Sequence, residues 1–280
     1  MKVWVGTSGW QYASWRGTFY PARLPQAAWL AHYVTKFPIV EVNNTFYRMP
    51  EPTFIERWRG VAPPGFVFAV KANQLITHRH RLRGAEEALS LFWSRVLGLG
   101  DRLGPVLFQT PPSLRVDLPR LTAFLRTLPP GMRAAFELRD ASWSRSDVLR
   151  ALDRAGAAWV LADHNGVSGP TFVTGGFAYV RFHQGRPDRP GYARETLERW
   201  ADRIVSLGVE AFTFFNNDVE VAAPGDALTL TSLLRERGCD VVPPRATELV
   251  PAASQLGLPF RESPAPRGSG SGGPVSEKHT

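Results

Sequence analysis

The chain alternates between short apolar runs and longer segments in which apolar residues recur every three or four positions. The short runs predict eight strands at 2–6, 39–43, 66–71, 105–110, 133–138, 157–163, 177–183 and 210–216. The longer segments predict helices at 25–37, 85–97, 119–127, 193–207 and 226–237, and two more that begin at the capping-box sequences of Thr53 and Ser144. Residues 164–176 show no helical period, so we expect an irregular loop there.

Eight strands alternating with helices predict an α/β fold, a single (β/α)8 TIM-type barrel over residues 1–262. An open doubly wound sheet has nearly the same local pattern and remains the alternative. The sixth connection between strand and helix is the irregular one. Residues 263–280 are rich in Gly, Ser and Pro, so we predict a disordered C-terminal tail.

Polar residues cluster where the predicted strands end. In a barrel these ends meet at one mouth, where catalytic groups are found. Four charged or titratable side chains at these ends are our candidates for acid–base catalysis: Glu41, Lys71, Glu137 and His183. Candidate substrate-binding residues lie at the same ends and in the loops that follow: Ser8, Trp10, Tyr12, Asn43, Tyr47, Asn73, Gln109, Arg139, Trp143, Asp163, Arg181, Asn216 and Asn217.

The same charges permit a second interpretation, an internal salt-bridge network that only stabilises the barrel. Ions are costly to bury unless they are paired, and Glu41 with Lys71 is the expected pair on neighbouring strands. For the set as a whole we favour a ligand. Lys71, Arg139 and Arg181 supply three cations to one cavity, which suits a small anionic ligand.

Aromatic residues follow the first, second and fifth strands directly. The first of these loops, GTSGWQYASWRGTFYP, carries five rings. The rings either pack the loops over the barrel or form a stacking platform for a base or sugar. We expect Trp10 and Tyr12, nearest the strand, to face the cavity.

Composition and charge predict what kind of partner the protein binds and in which cellular compartment it lies. The net charge is +8, and only four of the 33 basic residues are lysines, so anionic small molecules or nucleic acids are reasonable partners. The single Cys239 excludes a disulfide framework within the chain. We find no signal peptide and no apolar run of about 20 residues, and therefore expect a cytoplasmic protein without a membrane span.

No sequence motif requires a cofactor. We find neither a dinucleotide fingerprint nor a Walker A lysine, and predict no organic cofactor. The carboxylates and His183 are suitable ligands for a divalent metal, but Lys71 and Arg181 would oppose one, so no metal ligands are assigned. His78 and His80 lie among arginines and are expected in a solvated basic loop.

Several long motifs occur in order over residues 1–240: GTSGWQYASWRGTFYP, VEVNNTFYRMP, FVFAVKAN with LITH, LGPVLFQTPP, FELRDASW, FAYVRFH and FTFFNND. Together they resemble the YecE-like family, the domain of unknown function 72. The resemblance implies a TIM-type barrel and brings no established reaction. The chain departs from the family pattern at Glu220 and Asp226, where Gly and Asn are usual. It also departs at Gln184, because in the family a glycine usually follows the motif YVRFH directly.

Three hypotheses for function follow. The leading one is an enzyme that acts on a small anionic substrate, such as a phosphorylated sugar or a nucleotide, by acid–base chemistry at the mouth of the barrel. The second is a protein that binds or processes nucleic acid through its arginines and rings. The third is a non-catalytic binding scaffold, since a fold does not dictate a function.

Overall fold

A computed structural model describes residues 1–164, 167–168, 171–184 and 190–245. Ten strands are present in this part of the chain: β1 Lys2–Ser8, β2 Ile39–Val42, β3 Val67–Lys71, β4 Leu103–Gln109, β5 Ala134–Glu137, β6 Ala158–His164, β7 Val167–Ser168, β8 Phe177–Gln184, β9 Glu210–Phe215 and β10 Asp240–Val241. The α-helices are α1 Trp29–Tyr33, α2 Asn44–Tyr47, α3 Pro52–Val61, α4 Glu86–Val96, α5 Leu118–Leu125, α6 Ser146–Arg154, α7 Arg194–Ser206 and α8 Ala222–Glu236. The predicted tail lies outside the described residues.

The sheet closes on itself. Parallel pairing runs β1-β2-β3-β4-β5-β6-β8-β9, and β9 pairs again with β1 through Val3 to Thr7. The eight predicted strands are therefore the eight barrel strands, which confirms the TIM-type barrel and rules out the open sheet. Two short strands are additions: β7 pairs antiparallel with β6, and β10 pairs with the start of β1.

Several helix boundaries differ from the prediction. Helix α6 begins at Ser146, two residues after the capping box predicted at Ser144, and no side chain caps it. The segment 25–37 forms a 3-10 turn at Gln26–Ala28 before α1 begins. Helix α3 begins one residue before Thr53, because Pro52 occupies its first turn, where its fixed φ is favourable. Helix α8 starts at Ala222 rather than at residue 226. None of the helices in the described part is both long and apolar enough to span a bilayer.

Two hydrophobic layers separate the inside of the barrel from its outside. Strand residues that point inward form one cluster, to which Ile39, Ala69, Ala135 and Tyr179 belong. Their alternate neighbours pack against the surrounding helices in a second, larger cluster. Because successive side chains of a strand point to opposite faces, the face on which its apolar residues lie decides which polar residues at its end point into the mouth.

Gly6 lies in β1 where no side chain fits. A Cβ at this position would lie 2.2 Å from the carbonyl oxygen of Ile39 on β2. We expect Gly6→Ala to lower the free energy of unfolding by about 1–3 kcal/mol, because the strands must move apart. Gly60→Ala is the control: Gly60 is exposed in α3 and a Cβ there would meet nothing within 4 Å, so alanine should add about 0.5–1 kcal/mol. Urea unfolding measures both, and equal effects would contradict the close approach of β1 to β2.

Candidate active site

Four of the predicted charged side chains occupy inward-facing strand positions and therefore reach the mouth. Glu41 lies two residues after Ile39, Lys71 two after Ala69, Glu137 two after Ala135 and Arg181 two after Tyr179, all of them on the inward face. Each comes at or near the carboxyl end of its strand. Alternation thus places two carboxylates and two basic groups at one end of the barrel.

Arg181 connects the two carboxylates. Its Nε and Nη2 donate to Oε2 and Oε1 of Glu41 at 3.0 and 2.8 Å, and its Nη1 donates to Oε2 of Glu137 at 2.6 Å. Arg181, Glu41 and Glu137 are at most 4% exposed. The predicted pair of Glu41 with Lys71 is wrong, because the planar guanidinium reaches across the barrel and offers two parallel donors that an ammonium cannot.

Both carboxylates are held in the ionised form. Burial acts to raise the pKa of Glu41, but Arg181 and a 2.6 Å hydrogen bond from the Tyr179 hydroxyl outweigh it, so the pKa lies below its usual value. Burial is likewise outweighed at Glu137, where Arg181 and His183 hold the pKa well below its usual range. Tyr179 was missed by the sequence analysis, although it shares the inward phase of Arg181.

Glu137 has two further partners at the rim of the mouth. Arg139 donates through Nε to Oε1 at 3.0 Å, and its side chain is 33% exposed. Nε2 of His183 lies 3.3 Å from the same oxygen, and Nδ1 of that ring lies 3.4 Å from Nδ2 of Asn216. His183 is therefore held between a carboxylate and an amide at the rim of the mouth.

Lys71 differs from these groups in its contacts. Within the described part of the chain no carboxylate oxygen lies within 4.0 Å of its ammonium, which instead sits 4.1 Å from the centre of the Phe46 ring. Burial is the main cause that lowers the pKa of Lys71 to about 7. Arg181 and Arg139 lower it further, against the opposing charges of Glu137 and Glu41. Burial thus favours the neutral amine of Lys71 near pH 7.

His78 also contacts the Phe46 ring. The two rings meet edge to face at 4.8 Å, and His78 belongs to a helical turn, Leu75–Arg79, that directly follows β3. Burial, Lys71 and Arg139 lower its pKa to about 4, so the imidazole is neutral near pH 7. The expectation of a solvated basic loop is wrong for His78, because it is partly buried against the Phe46 ring.

Two predicted rings lie away from the mouth. Trp10 is 4% exposed and packs edge to face on Trp58 of α3 at 5.6 Å. Trp143 is fully buried, and its Nε1 donates to the Leu114 carbonyl at 2.7 Å. Both belong to the layer between barrel and helices, so the expectation that Trp10 faces the cavity is wrong. Large rings next to strand ends find more apolar surface there than in a charged mouth.

Asp163 also points away from the mouth. It follows Leu161, which packs in the outer layer, and is fully buried. Nε1 of Trp200 on α7 donates to its Oδ2 at 2.5 Å, and the Tyr192 hydroxyl lies 3.3 Å from its Oδ1. Asp163 thus anchors α7 to the barrel. It does not reach the predicted substrate site, because the alternation of side chains along β6 points it outward.

The predicted amides are divided between structural bonds and the mouth. Asn73 is used locally: its amide donates to the Thr45 carbonyl at 2.8 Å and accepts from the amide of Leu75 at 3.0 Å. Gln109 is 5% exposed and shares the inward phase of its strand. The Oδ1 atom of Asn43 is buried, and no residue of the described ranges donates to it.

The first loop reaches the mouth through Tyr12. Its hydroxyl donates to the carbonyl of Ser8 at 2.6 Å, and burial together with Asp218 and Glu41 raises its pKa. Ser8 is 1% exposed and pairs in register with Glu41. Tyr47, in α2, is half exposed and is the most accessible of the predicted rings.

The last loop contains an acid that the sequence analysis missed. Asp218 follows the predicted pair Asn216 and Asn217 and accepts a hydrogen bond from Nε1 of Trp15. Burial raises the pKa of Asp218 to about 6. Its position directly after two amides at a strand end was a signal that could have included it.

Two of the three departures from the family pattern lie close to this acid, Glu220 in the same loop and Asp226 near the start of α8. Glu220 has a φ of 51°, a left-handed conformation that glycine adopts without strain, which explains why glycine is usual there. Asp226 accepts from Nδ2 of Asn217 at 2.6 Å and from the Tyr192 amide at 3.0 Å. Burial raises the pKa of Asp226 to about 6. The third departure, at Gln184, concerns a side chain outside the described set.

Metal ligands do not assemble in the described part of the chain: no group of three or more His, Cys, Asp and Glu side chains is placed to hold an ion there. Glu41 and Glu137 point their oxygens at Arg181. The described mouth offers a lysine amine, an imidazole and ionised carboxylates as its reactive groups.

Fold and site define a (β/α)8-barrel protein with a buried ionic centre at its C-terminal mouth. Residues 4–250 match the family model of the protein of unknown function DUF72. The chain therefore belongs to the DUF72 family, as its motifs indicate.

Named relatives agree with this membership. The UPF0759 protein YecE of Escherichia coli strain K12 is 30% identical over 138 residues, which are 49% of this chain and 48% of YecE. The chain thus spans about half the length of the curated relative it matches. A DUF72 family crystal structure from Thermotoga maritima MSB8 superposes with a TM-score of 0.75 at 30% identity, covering 84% of this chain and 100% of the other.

A more distant structure shows the fold alone. The D-psicose 3-epimerase of Clostridium cellulolyticum H10 superposes with a TM-score of 0.50 at 12% identity, over 86% of this chain and all of that chain. No activity or substrate comes with the family description, so the function must be argued from the site.

Proposed function

We propose that the protein is an enzyme that acts on a small anionic substrate by acid–base chemistry at the mouth of the barrel. The observation that carries this proposal is the state of Lys71. In a centre where Arg181 pairs with both Glu41 and Glu137, Lys71 is partly buried and has no carboxylate at ion-pair distance in the described structure. A purely structural network would pair it, because an unpaired buried cation is costly.

The roles of the mouth residues follow from their protonation. Glu41 and Glu137 have lowered pKa values, which makes them weak bases, so they orient Arg181 rather than take protons. The amine of Lys71, with a pKa of about 7, is suited to accept and return a proton near neutral pH. His183, held against Glu137, is the second group able to move a proton.

The anionic part of the substrate is assigned to the rim. Arg139 uses Nε for Glu137 and is one-third exposed, so it is the mouth arginine most open to a ligand. Arg181 is 1% exposed and donates from three nitrogens to carboxylates. We therefore expect a phosphate or carboxylate of the substrate to bind at Arg139, near the amine of Lys71.

Thermal shift with matched ligands tests the proposal. We expect at least one phosphorylated sugar or nucleotide, compared with its unphosphorylated counterpart, to raise the Tm of the wild type by about 3 °C or more when it is well above its Kd. Lys71→Met and Arg139→Met should lose the shift. Arg145→Met is the control, since Arg145 pairs with Asp147 on an exposed helix start. Equal shifts in all three variants would contradict the proposed site.

The nucleic-acid hypothesis has less support from the rings. Trp10, Trp15 and Trp143 are at most 4% exposed and cannot stack on a base without leaving the core. Short single-stranded DNA and RNA should therefore bind weakly. Tight binding that falls by about 10³-fold between low and moderate salt would favour the nucleic-acid hypothesis instead.

A further inference from the structure

The surroundings of Lys71 suit a nucleophile as well as a proton carrier. Lys71 occupies an inward-facing position at the end of β3. Its amine lies 4.1 Å from the centre of the Phe46 ring, and no carboxylate oxygen of the described ranges lies within 4.0 Å of it. A lysine that serves only to fix charge would make a close ion pair. An amine held neutral in an apolar and cationic setting is the arrangement that activates lysine towards carbonyl carbons.

We propose that Lys71 forms a covalent imine with an anionic aldehyde or ketone bound in the mouth. This inference rests on the proposed function and specifies its substrate class. The neutral amine attacks the carbonyl carbon, and the carbonyl electron pair moves to oxygen. The nitrogen then loses one proton, and the oxygen takes up that proton and a second one from the solvent. The C–O bond breaks and water leaves, while the nitrogen lone pair forms the C=N bond of a protonated imine.

Neighbouring groups can carry these protons. His78 is neutral near pH 7 and contacts the same Phe46 ring as Lys71. His183 is held by Glu137 and lies 3.4 Å from Nη1 of Arg181. The charges of Glu41 and Glu137 favour a cationic nitrogen, and therefore the protonated imine, while Arg181 and Arg139 favour the neutral amine before attack. The two opposing sets suit a nitrogen that changes charge during the reaction.

The chain offers a simple internal comparison, because it has only four lysines. The intact protein at pH 7 is incubated with glyoxylate and sodium cyanoborohydride, which reduces an imine to a stable secondary amine. Peptide mass spectrometry then compares the modification rate at Lys71 with the rate at the exposed Lys36. We expect Lys71 to react at least about tenfold faster, because about half of it is neutral at this pH, against far less than one per cent of an ordinary lysine.

The pH profile and a neutral probe complete the test. The rate at Lys71 should level off above about pH 7, whereas the rate at Lys36 should keep rising towards pH 10. Glycolaldehyde, an uncharged carbonyl, should modify Lys71 more slowly than glyoxylate does, and Arg139→Met should remove that difference.

The outcomes separate this inference from the proposed function. A rate at Lys71 no higher than at Lys36 overturns the imine, and the thermal-shift result with phosphorylated ligands then judges the acid–base proposal alone. Fast modification by both probes without a preference for glyoxylate supports the imine and contradicts the anionic substrate. Circular dichroism of Arg139→Met shows that its effect does not come from unfolding.

Discussion

Replacing Arg181 by methionine is expected to lower the free energy of unfolding by about 3–5 kcal/mol at pH 7. The variant leaves Glu41 and Glu137 buried without their shared cation, although each is at most 4% exposed. The effect should depend on pH. In the wild type Arg181 outweighs burial and lowers both pKa values, so the carboxylates contribute stability above their usual pKa that is lost as pH falls through the lowered values.

In the Arg181→Met variant burial acts with less opposition and raises both pKa values. A group with a raised pKa contributes stability below its usual pKa that is lost as the pH rises. The deficit against the wild type should therefore be larger at pH 7 than at pH 5, measured by urea unfolding at both pH values. A deficit that is the same at both would contradict the assigned role of Arg181.

A triple variant distinguishes lost charge pairing from lost packing. Arg181→Met combined with Glu41→Gln and Glu137→Gln removes all three charges and should recover part of the loss, because no unpaired ion remains. Arg145→Met serves as the control, since its partner Asp147 is on the surface and stability should change little. If the triple variant is less stable than Arg181→Met, the carboxylates do not depend on this arginine.

The barrel could be predicted because its strands are short, apolar and regularly spaced. Parallel strands buried on both faces leave continuous apolar runs, and all eight runs became barrel strands. Local detail was less accessible. Strand β7 has only two residues, too few to show a period, and Pro52 rather than Thr53 set the start of α3.

The charged part of the mouth was predictable for the same reason that the strands were. Glu41, Lys71, Glu137 and Arg181 each lie two residues beyond an apolar inward position, so alternation alone brings them together. Asp163 shows the limit of this argument. A polar residue at a strand end is equally well satisfied by Trp200 on the outside, and only the phase of the folded strand distinguishes the two.

Pairing within the mouth could not be derived from sequence order. Glu41 was expected to pair with Lys71 of the neighbouring strand, but Arg181 reaches it from across the barrel and excludes the lysine. Which cation pairs with Glu41 depends on side-chain length and on the two parallel donors of a guanidinium. Neither can be judged from the order of the residues along the chain. The consequence of this pairing is an amine with no carboxylate at ion-pair distance in the described part of the chain, the feature on which both proposals depend.

Replacing Lys71 by methionine is expected to stabilise the fold while it removes ligand binding. The pKa of Lys71 is lowered to about 7, which means that folding disfavours its charge, chiefly through burial. Each unit of pKa corresponds to about 1.4 kcal/mol, so a neutral side chain of similar length should raise the free energy of unfolding by about 2–4 kcal/mol at pH 7. Methionine also keeps an apolar contact with Phe46. A gain in stability with a loss of function is typical of a residue retained for its chemistry.

The sign of the pH dependence provides the decisive measurement. Between about pH 7 and the usual lysine pKa near 10.4, the unfolded chain binds a proton that the folded Lys71 does not, so wild-type stability rises with pH relative to Lys71→Met. The advantage of Lys71→Met should therefore shrink by more than about 1 kcal/mol from pH 7 to pH 9.5. Lys36→Met, at an exposed position, should show no such trend. A Lys71→Met variant less stable than the wild type at pH 7 would show that the lysine charge is paired in solution, and the amine would then be a structural cation rather than a reactive group.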